Sequence, residues 1–308
     1  MAGSAQRHGI VPLGNGRYQF NGPVSGPVLP GPGRVWYASS SIGASGNGKT
    51  WASAFKTMSE ALTACDSGDV IFMTGKFAEQ LSTPAGVFDV SIIGAGTTRH
   101  GDAHTGDNGA QSASSWVTPG SPTSTTPLLT VRQQGWKLVN ILFDGPSDAA
   151  AVQLFRDAGA GDAEDDASHA HIVGCKFVAG QNHVEFKGGL SQVILEENLF
   201  FGATADSILE TTGAGVGTNN YHRFLRNHWH NNESHIDMGA NYASIIDNVF
   251  GKKTTAGIDL TGGSENMVSR NVLYGTYSIA GGYTAGTNDE WGGNFCSITG
   301  GVTAADPA

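Results

Sequence analysis

Five stretches in the second half of the chain align without a gap: HIVGCKF (171–177), ILEENLF (194–200), RFLRNHW (223–229), SIIDNVF (244–250) and MVSRNVL (267–273). Each sets an apolar residue (Ile172, Leu195, Phe224, Ile245, Val268) five positions before a large apolar one (Phe177, Phe200, Trp229, Phe250, Leu273). Two positions before the large residue stands a Cys or an Asn: Cys175, Asn198, Asn227, Asn248 and Asn271. A second apolar segment recurs seven or eight residues later, centred on Val184, Ile208, Ile236 and Ile258. Glycines (Gly188, Gly213, Gly239, Gly262) close most of these segments, and Leu138–Phe143 reads as an earlier, less regular member of the series.

A repeat of 21 to 29 residues with two or three short strands per copy is the signature of a solenoid. The 3.6-residue patterning of helical repeats is absent. The expected fold is therefore all-β, a right-handed parallel β-helix whose turns stack about 4.8 Å apart with inward residues in continuous rows. The recurring Asn is expected to form a ladder, bonding backbone groups and taking the left-handed conformation itself.

Outside the repeats the chain divides simply. Residues 1–33 carry Gly or Pro every few positions and are expected to be an extended, irregular arm. Ile10, Val11, Leu13, Tyr18 and Phe20 are its apolar contacts. Residues 34–308 are expected to form one β-helix domain. A capping strand and helix fill 34–66, the turns occupy about 67–280, and 281–308 form an irregular tail. Phe55, Met58, Leu62 and Cys65 fall 3, 4 and 3 apart, which predicts a helix over about Trp51–Cys65. Polar loops are expected over 99–127 and 157–168.

Composition narrows the function. The chain holds 45 Gly in 308 residues, only 14% charged residues, and a net charge of −10. An acidic chain without a basic stripe is a poor binder of nucleic acid. No apolar run approaches the ~20 residues of a membrane helix. Cys65, Cys175 and Cys296 are odd in number and far apart, so reduced core thiols are expected. The first residues lack the apolar stretch of a signal peptide, and synthesis in the cytoplasm without secretory export is expected.

The segment YASSSIGASGNGKTWASAFKTMSEALTACDSGDVIFMTGKFAEQL (37–81) resembles the opening of the pectate-lyase-like superfamily of right-handed β-helix proteins. In that superfamily a strand and Gly-rich loop precede a capping helix, a first turn of the form G-D-V-I and a G-x-F/Y-x-E turn. The resemblance covers about residues 34–280 and implies the fold. It leaves function open, because the superfamily holds lyases, hydrolases, tailspikes and non-catalytic virion proteins. With its Gly/Pro-rich arm and Gly/Thr-rich tail, the chain is most similar to phage structural members, which implies a homotrimer.

Several motifs carry alternative chemistries. Gly43–Thr50 satisfies the nucleotide P-loop pattern between a strand and a helix, with Lys49 as its lysine. Leu138–Asp144 mimics the apolar run ending in a magnesium-binding Asp. Asp237 and Asp259 occupy the same position of consecutive turns, in a column shared with Glu185 and Leu209. Alternation points both outward at about 5 Å, the spacing of a retaining glycosidase pair. If the chain is an enzyme, these two are its catalytic residues. His222, His228, His230 and His235 crowd one turn, and 157–169 offers carboxylates for calcium. In both places the expected reading is structural, with no metal and no cofactor. Trp116, Trp136, Trp291, Tyr274, Tyr277 and Tyr283 are candidates for sugar or subunit contacts.

The expected function is a structural protein of a phage virion, located on the capsid surface. It would be a decoration or cement protein that binds and stabilises the lattice of the major capsid protein through the arm residues Ile10, Val11, Leu13, Tyr18 and Phe20. The competing readings are a tailspike or tail fibre that binds or cleaves host polysaccharide, and a free polysaccharide lyase or hydrolase. Neither nucleic acid nor membrane is an expected partner.

Overall fold

The computed structural model describes residues 9–14, 17–21, 33–96, 114–157, 165–211, 219–251, 253–274, 283–298 and 301–304. By internal contacts the chain divides into 1–32 and 33–308. In the first unit, Gly9–Gly14 pairs antiparallel with Arg17–Asn21, setting Ile10 opposite Phe20 and Pro12 opposite Tyr18. A segment whose side chains follow no strand period thus forms a hairpin. The connecting Asn15-Gly16 is the dipeptide most often found in two-residue hairpin loops, and it was the legible signal.

The second unit is a parallel β-helix with three faces. Its first sheet includes Val35–Ser39, the start of Val70–Phe77, Ser91–Gly94, Lys137–Val139, His171–Val173, Ile194–Glu196, Arg223–Leu225, Ser244–Ile246, Met267–Ser269 and Glu290–Gly292. Its second sheet includes Ser114–Val117, Leu142–Asp144, Lys176–Val178, Leu199–Phe201, His228–His230, Val249–Phe250, Val272–Tyr274 and Phe295–Ile298. Val70–Phe77 rounds the corner between these two sheets at Gly75, whose φ is +92° and where a Cβ would sit 2.3 Å from Ser40 Oγ. A third sheet of eight strands carries the segments centred on Val184, Ile208, Ile236 and Ile258 in register. Gly188 ends the strand Asn182–Lys187 at φ +102°, where any Cβ would meet the Arg156 carbonyl at 2.5 Å. At the C-terminal end Gly301–Ala304 adds antiparallel to Phe295–Ile298.

The aligned stretches fall as the repeat requires. Ile172, Leu195, Phe224, Ile245 and Val268 are buried in the first sheet. The large residues form one stack along the axis: Phe143–Phe177 at 5.1 Å, Phe177–Phe200 at 5.0 Å, Phe200–Trp229 at 5.0 Å and Trp229–Phe250 at 4.6 Å between ring centroids. Trp116 extends it at 6.3 Å from Phe143, from a strand inside the stretch expected to be loop.

The Asn ladder forms, with one correction. Asn227 Oδ1 accepts from Asn198 N at 3.0 Å, while Asn227 Nδ2 donates to Leu195 O at 2.8 Å. Asn198, Asn248, Asn271 and Asn294 repeat the pattern turn by turn. The left-handed residue is the one before the ladder position: Glu197, Arg226, Asp247 and Arg270 have φ of 54° to 58°. The amide side chain works by bonding its neighbours' backbone, so the Asn keeps ordinary φ and its predecessor makes the corner.

The helix is shorter than the spacing predicts. Trp51–Ser53 is a 3-10 turn capped by Thr50, and the α-helix runs from Met58 to Ala64. Thr57 and Glu60 form a capping box that fixes its start. Phe55 is extended, bonding Tyr37 O and Ser39 N at 2.8 Å. Cys65 and Cys175 are free and buried, and burial pushes both thiols up to about 12, as suits inert core residues. Among the described residues no helix is long and apolar enough to cross a membrane.

Candidate functional site

The carboxylate column is built by the third sheet. Register sets Glu185 beside Leu209, Leu209 beside Asp237, and Asp237 beside Asp259. Asp237 and Asp259 therefore stand one turn apart, a spacing of about 4.8 Å. The Asp237 carboxyl is pushed up to about 6, first by partial desolvation and then by Asp206, Asp259 and Glu210 around it. Burial also raises Asp206, with Glu233 and Asp259 adding repulsion. Asp259 Oδ1 accepts from Thr261 N at 2.9 Å, and Glu210 from Gly239 N at 2.6 Å. Glu185 is fully engaged, accepting from Gln153 Nε2 at 2.7 Å and Thr211 Oγ1 at 2.6 Å.

Asp237 is thus the carboxyl of an adjacent pair whose proton affinity its crowded, partly desolvated place raises. Outward neighbours in the same column are Thr130, Gln153, Glu185, Leu209 and Thr284, none of them cationic. An acidic stripe of this kind repels a polyuronate.

The histidines do not converge. His222 is fully buried and its Nδ1 accepts from Val193 N at 3.2 Å. His235, also buried, lies 3.1 Å from Gly251 O through Nε2 and 3.3 Å from Asn232 Nδ2 through Nδ1. His228 and His230 flank Trp229 on the outer side of the second sheet, with His230 stacked on Phe201 at 5.7 Å. Among the described residues no group of three or more His, Cys, Asp or Glu is placed to hold a metal ion. In the segment considered for calcium, Asp165 pairs with Arg132, and Asp166 accepts from Ser168 N and Gln134 Nε2 at 2.9 Å. Asp162, Glu164, Gly213 and Tyr277 lie outside the described residues, as do the side chains of Cys296, Tyr274 and the five arm residues Ile10, Val11, Leu13, Tyr18 and Phe20.

The P-loop match is a closed turn. Gly46 N donates to Ala54 O at 2.9 Å and Gly48 N to Ser53 O at 2.7 Å, which consumes amides that a phosphate would need. The Lys49 ammonium lies 3.4 Å over the Trp36 ring. Asp144, the residue of the magnesium-like run, stands on the outer side of the second sheet beside Lys76.

Trp116 and Trp136 are buried core residues, donating to Glu79 O at 2.8 Å and Val87 O at 2.9 Å, so neither meets a sugar. Trp291 and Tyr283 are half-buried against each other at 5.7 Å. The exposed aromatic pair is Tyr221 and Tyr242, stacked at 5.0 Å in left-handed positions of successive turns. Their common place, two residues before the first-sheet strand, was the signal in the sequence.

No protein-family model matches the chain, and no curated protein matches it. Among solved structures, the pectate lyase Pel9A aligns over 86% of this chain and 78% of its own, at 9% identity and a TM-score of 0.55. The PL6 family alginate lyase AlyGC aligns over 78% of this chain and 37% of its own, at 13% identity and a TM-score of 0.48. ORF18 of Geobacillus virus E2 aligns over 84% and 60%, at 12% identity and a TM-score of 0.36. What the chain shares with Pel9A is a parallel β-helix fold. At 9% identity, the likeness to Pel9A is one of fold alone.

Proposed function

We propose that the chain is a structural protein of a phage virion, a decoration or cement protein bound to the lattice of the major capsid protein. The observation that carries this reading is the outward column of the third sheet that holds Asp237. Where a β-helix lyase for polyuronates needs cations, this column presents Glu185, Asp237 and Asp259 with no basic residue among them. The remaining design suits a structural role. An aromatic stack and a buried Asn ladder make a stiff solenoid, and a separate hairpin unit carries Ile10, Val11, Leu13, Tyr18 and Phe20. An arm of that composition orders on a partner, with new contacts offsetting the entropic cost. Co-sedimentation with capsid shells assembled from the major capsid protein of the same genome tests the reading. The full chain is expected to pellet with shells and a chain lacking residues 1–32 to remain in solution; full-length protein that stays in solution contradicts it.

A second reading draws on one observation, the raised Asp237 carboxyl beside Asp259. It makes the chain a polysaccharide-binding or polysaccharide-cleaving protein of tailspike type, acting on a neutral polymer through an acid and a nucleophile. Release of reducing ends from neutral polysaccharides, lost in both Asp237→Asn and Asp259→Asn, would establish it.

A further inference from the structure

We propose that two copies of this chain pair about a twofold axis through the outer face of the first sheet, with their solenoids antiparallel. The corner beside that face carries one left-handed residue per turn: Gly174, Glu197, Arg226, Asp247, Arg270 and Gly293. In charge the column reads neutral, minus, plus, minus, plus, neutral. Reversed and laid against itself, it sets Glu197 against Arg270, Arg226 against Asp247, and Gly174 against Gly293, with every charge meeting its opposite.

On the face itself the same reversal sets apolar residues against apolar ones. Its outward positions on the four central turns include one apolar residue each: Ile194, Leu225, Ile246 and Met267. The side chain of Met267 is 42% exposed, and the other three are partly exposed. Reversal about a point between Leu225 and Ile246 sets those two against each other, and Ile194 against Met267. On the same central turns it sets Glu196 against Ser269 and Arg223 against Ser244, and on the flanking turns His171 against Glu290.

This is the geometry of an isologous contact. A twofold axis lying in the plane of the sheet and along its strands keeps each column opposite itself and reverses the order of turns. Within one chain Arg226 already pairs with Glu196 and Glu197, and Arg270 with Asp247. These pairs are exposed and contribute little alone. Between two copies each guanidinium lies among carboxylates of both, over apolar contacts that exclude water. The same operation on the third sheet would set Asp237 against Asp259 of the other copy, acid against acid, with Leu209 against Thr284. The chain's net charge of −10 therefore favours approach by the mixed-charge face. The pairing stands whichever function the chain has, and it departs from the homotrimer that the fold resemblance implies.

Sedimentation velocity and light scattering on the full chain, over a concentration series, test it. The expected mass is twice 31.9 kDa. Arg226→Asp, Asp247→Arg and Leu225→Lys are each expected to give a monomer with unchanged circular dichroism. Arg226→Asp combined with Asp247→Arg keeps the column self-complementary and is expected to restore the dimer. A monomeric or trimeric wild type overturns the proposal. So does a dimer that persists in folded Arg226→Asp and Leu225→Lys, or a folded double variant that stays monomeric.

Discussion

Single residues in this protein bear weight through their place in a ladder. The side chain of Asn248 makes four hydrogen bonds: its Oδ1 accepts from Asn227 N at 2.8 Å and Asn227 Nδ2 at 3.2 Å, and its Nδ2 donates to Phe224 O at 2.9 Å and Asn271 Oδ1 at 3.0 Å. Asn248→Ala leaves a buried backbone N–H and a carbonyl unpaired, and is expected to cost about 3 kcal/mol or more in urea unfolding. Asp69 plays a comparable part at the first turn. Only 2% exposed, it accepts from Arg34 N at 2.5 Å, Trp36 Nε1 at 2.7 Å and Asp66 N at 2.8 Å. Asp69→Ala is expected to cost about 3 kcal/mol and to raise hydrogen exchange first in 34–39 and 70–74.

Titration adds a prediction at the same scale. His183 and His222 are buried, and desolvation holds both down at about 3, against an ordinary value of about 6.5. The unfolded chain binds protons there that the folded chain refuses. Their contribution is therefore complete above pH 6.5 and lost as pH falls toward 3, by about 1.4 kcal/mol per pH unit for each. Asp237 works in the opposite sense, since its carboxyl is raised to about 6. Stability is lost as pH rises through that value, by less than about 1 kcal/mol because the group is exposed and screened. Thermal unfolding between pH 4 and 8 is expected to show a steep acid limb that flattens in His183→Gln, and a small gain at pH 7 in Asp237→Asn.

At the scale of elements, the aromatic stack and the strand register were legible, because one side chain per turn must fill the same place in every turn. Phe200 lies between Phe177 and Trp229 at 5.0 Å from each. Phe200→Ala is expected to cost about 4 kcal/mol by calorimetry or urea unfolding. The start of the helix was missed for a physical reason. Apolar spacing of 3, 4 and 3 describes a face that the core selects, and an extended Phe55 fills the same space from a neighbouring strand. The capping box Thr57–Glu60 carried the boundary. The left-handed corner was misassigned for a related reason: repetition marks the residue that bonds across turns, while Glu197, Arg226, Asp247 and Arg270 vary because their side chains face solvent. The column of Asp237 and Asp259 was readable from alternation. That Asp206 and Glu210 crowd Asp237 was not, since on the adjoining strand Leu209, and neither acid, shares its column position.

Over the whole molecule, the two outer faces differ in charge. The third sheet is acidic around Asp237, and the first sheet mixes Arg226 and Arg270 with Glu196, Glu197 and Asp247. A stiff solenoid with one repelling face and one self-complementary face fits the proposed component of an assembly, in which the hairpin unit at 9–21 would be the point of attachment. A polyanion such as polygalacturonate is accordingly expected not to raise the melting temperature at low ionic strength, as thermal shift would read. The central claim, that this is a capsid component, is tested most directly by quantitative mass spectrometry of purified virions. A copy number in simple proportion to the major capsid protein is the predicted result. A copy number matching tail components, or absence from the particle, would contradict it.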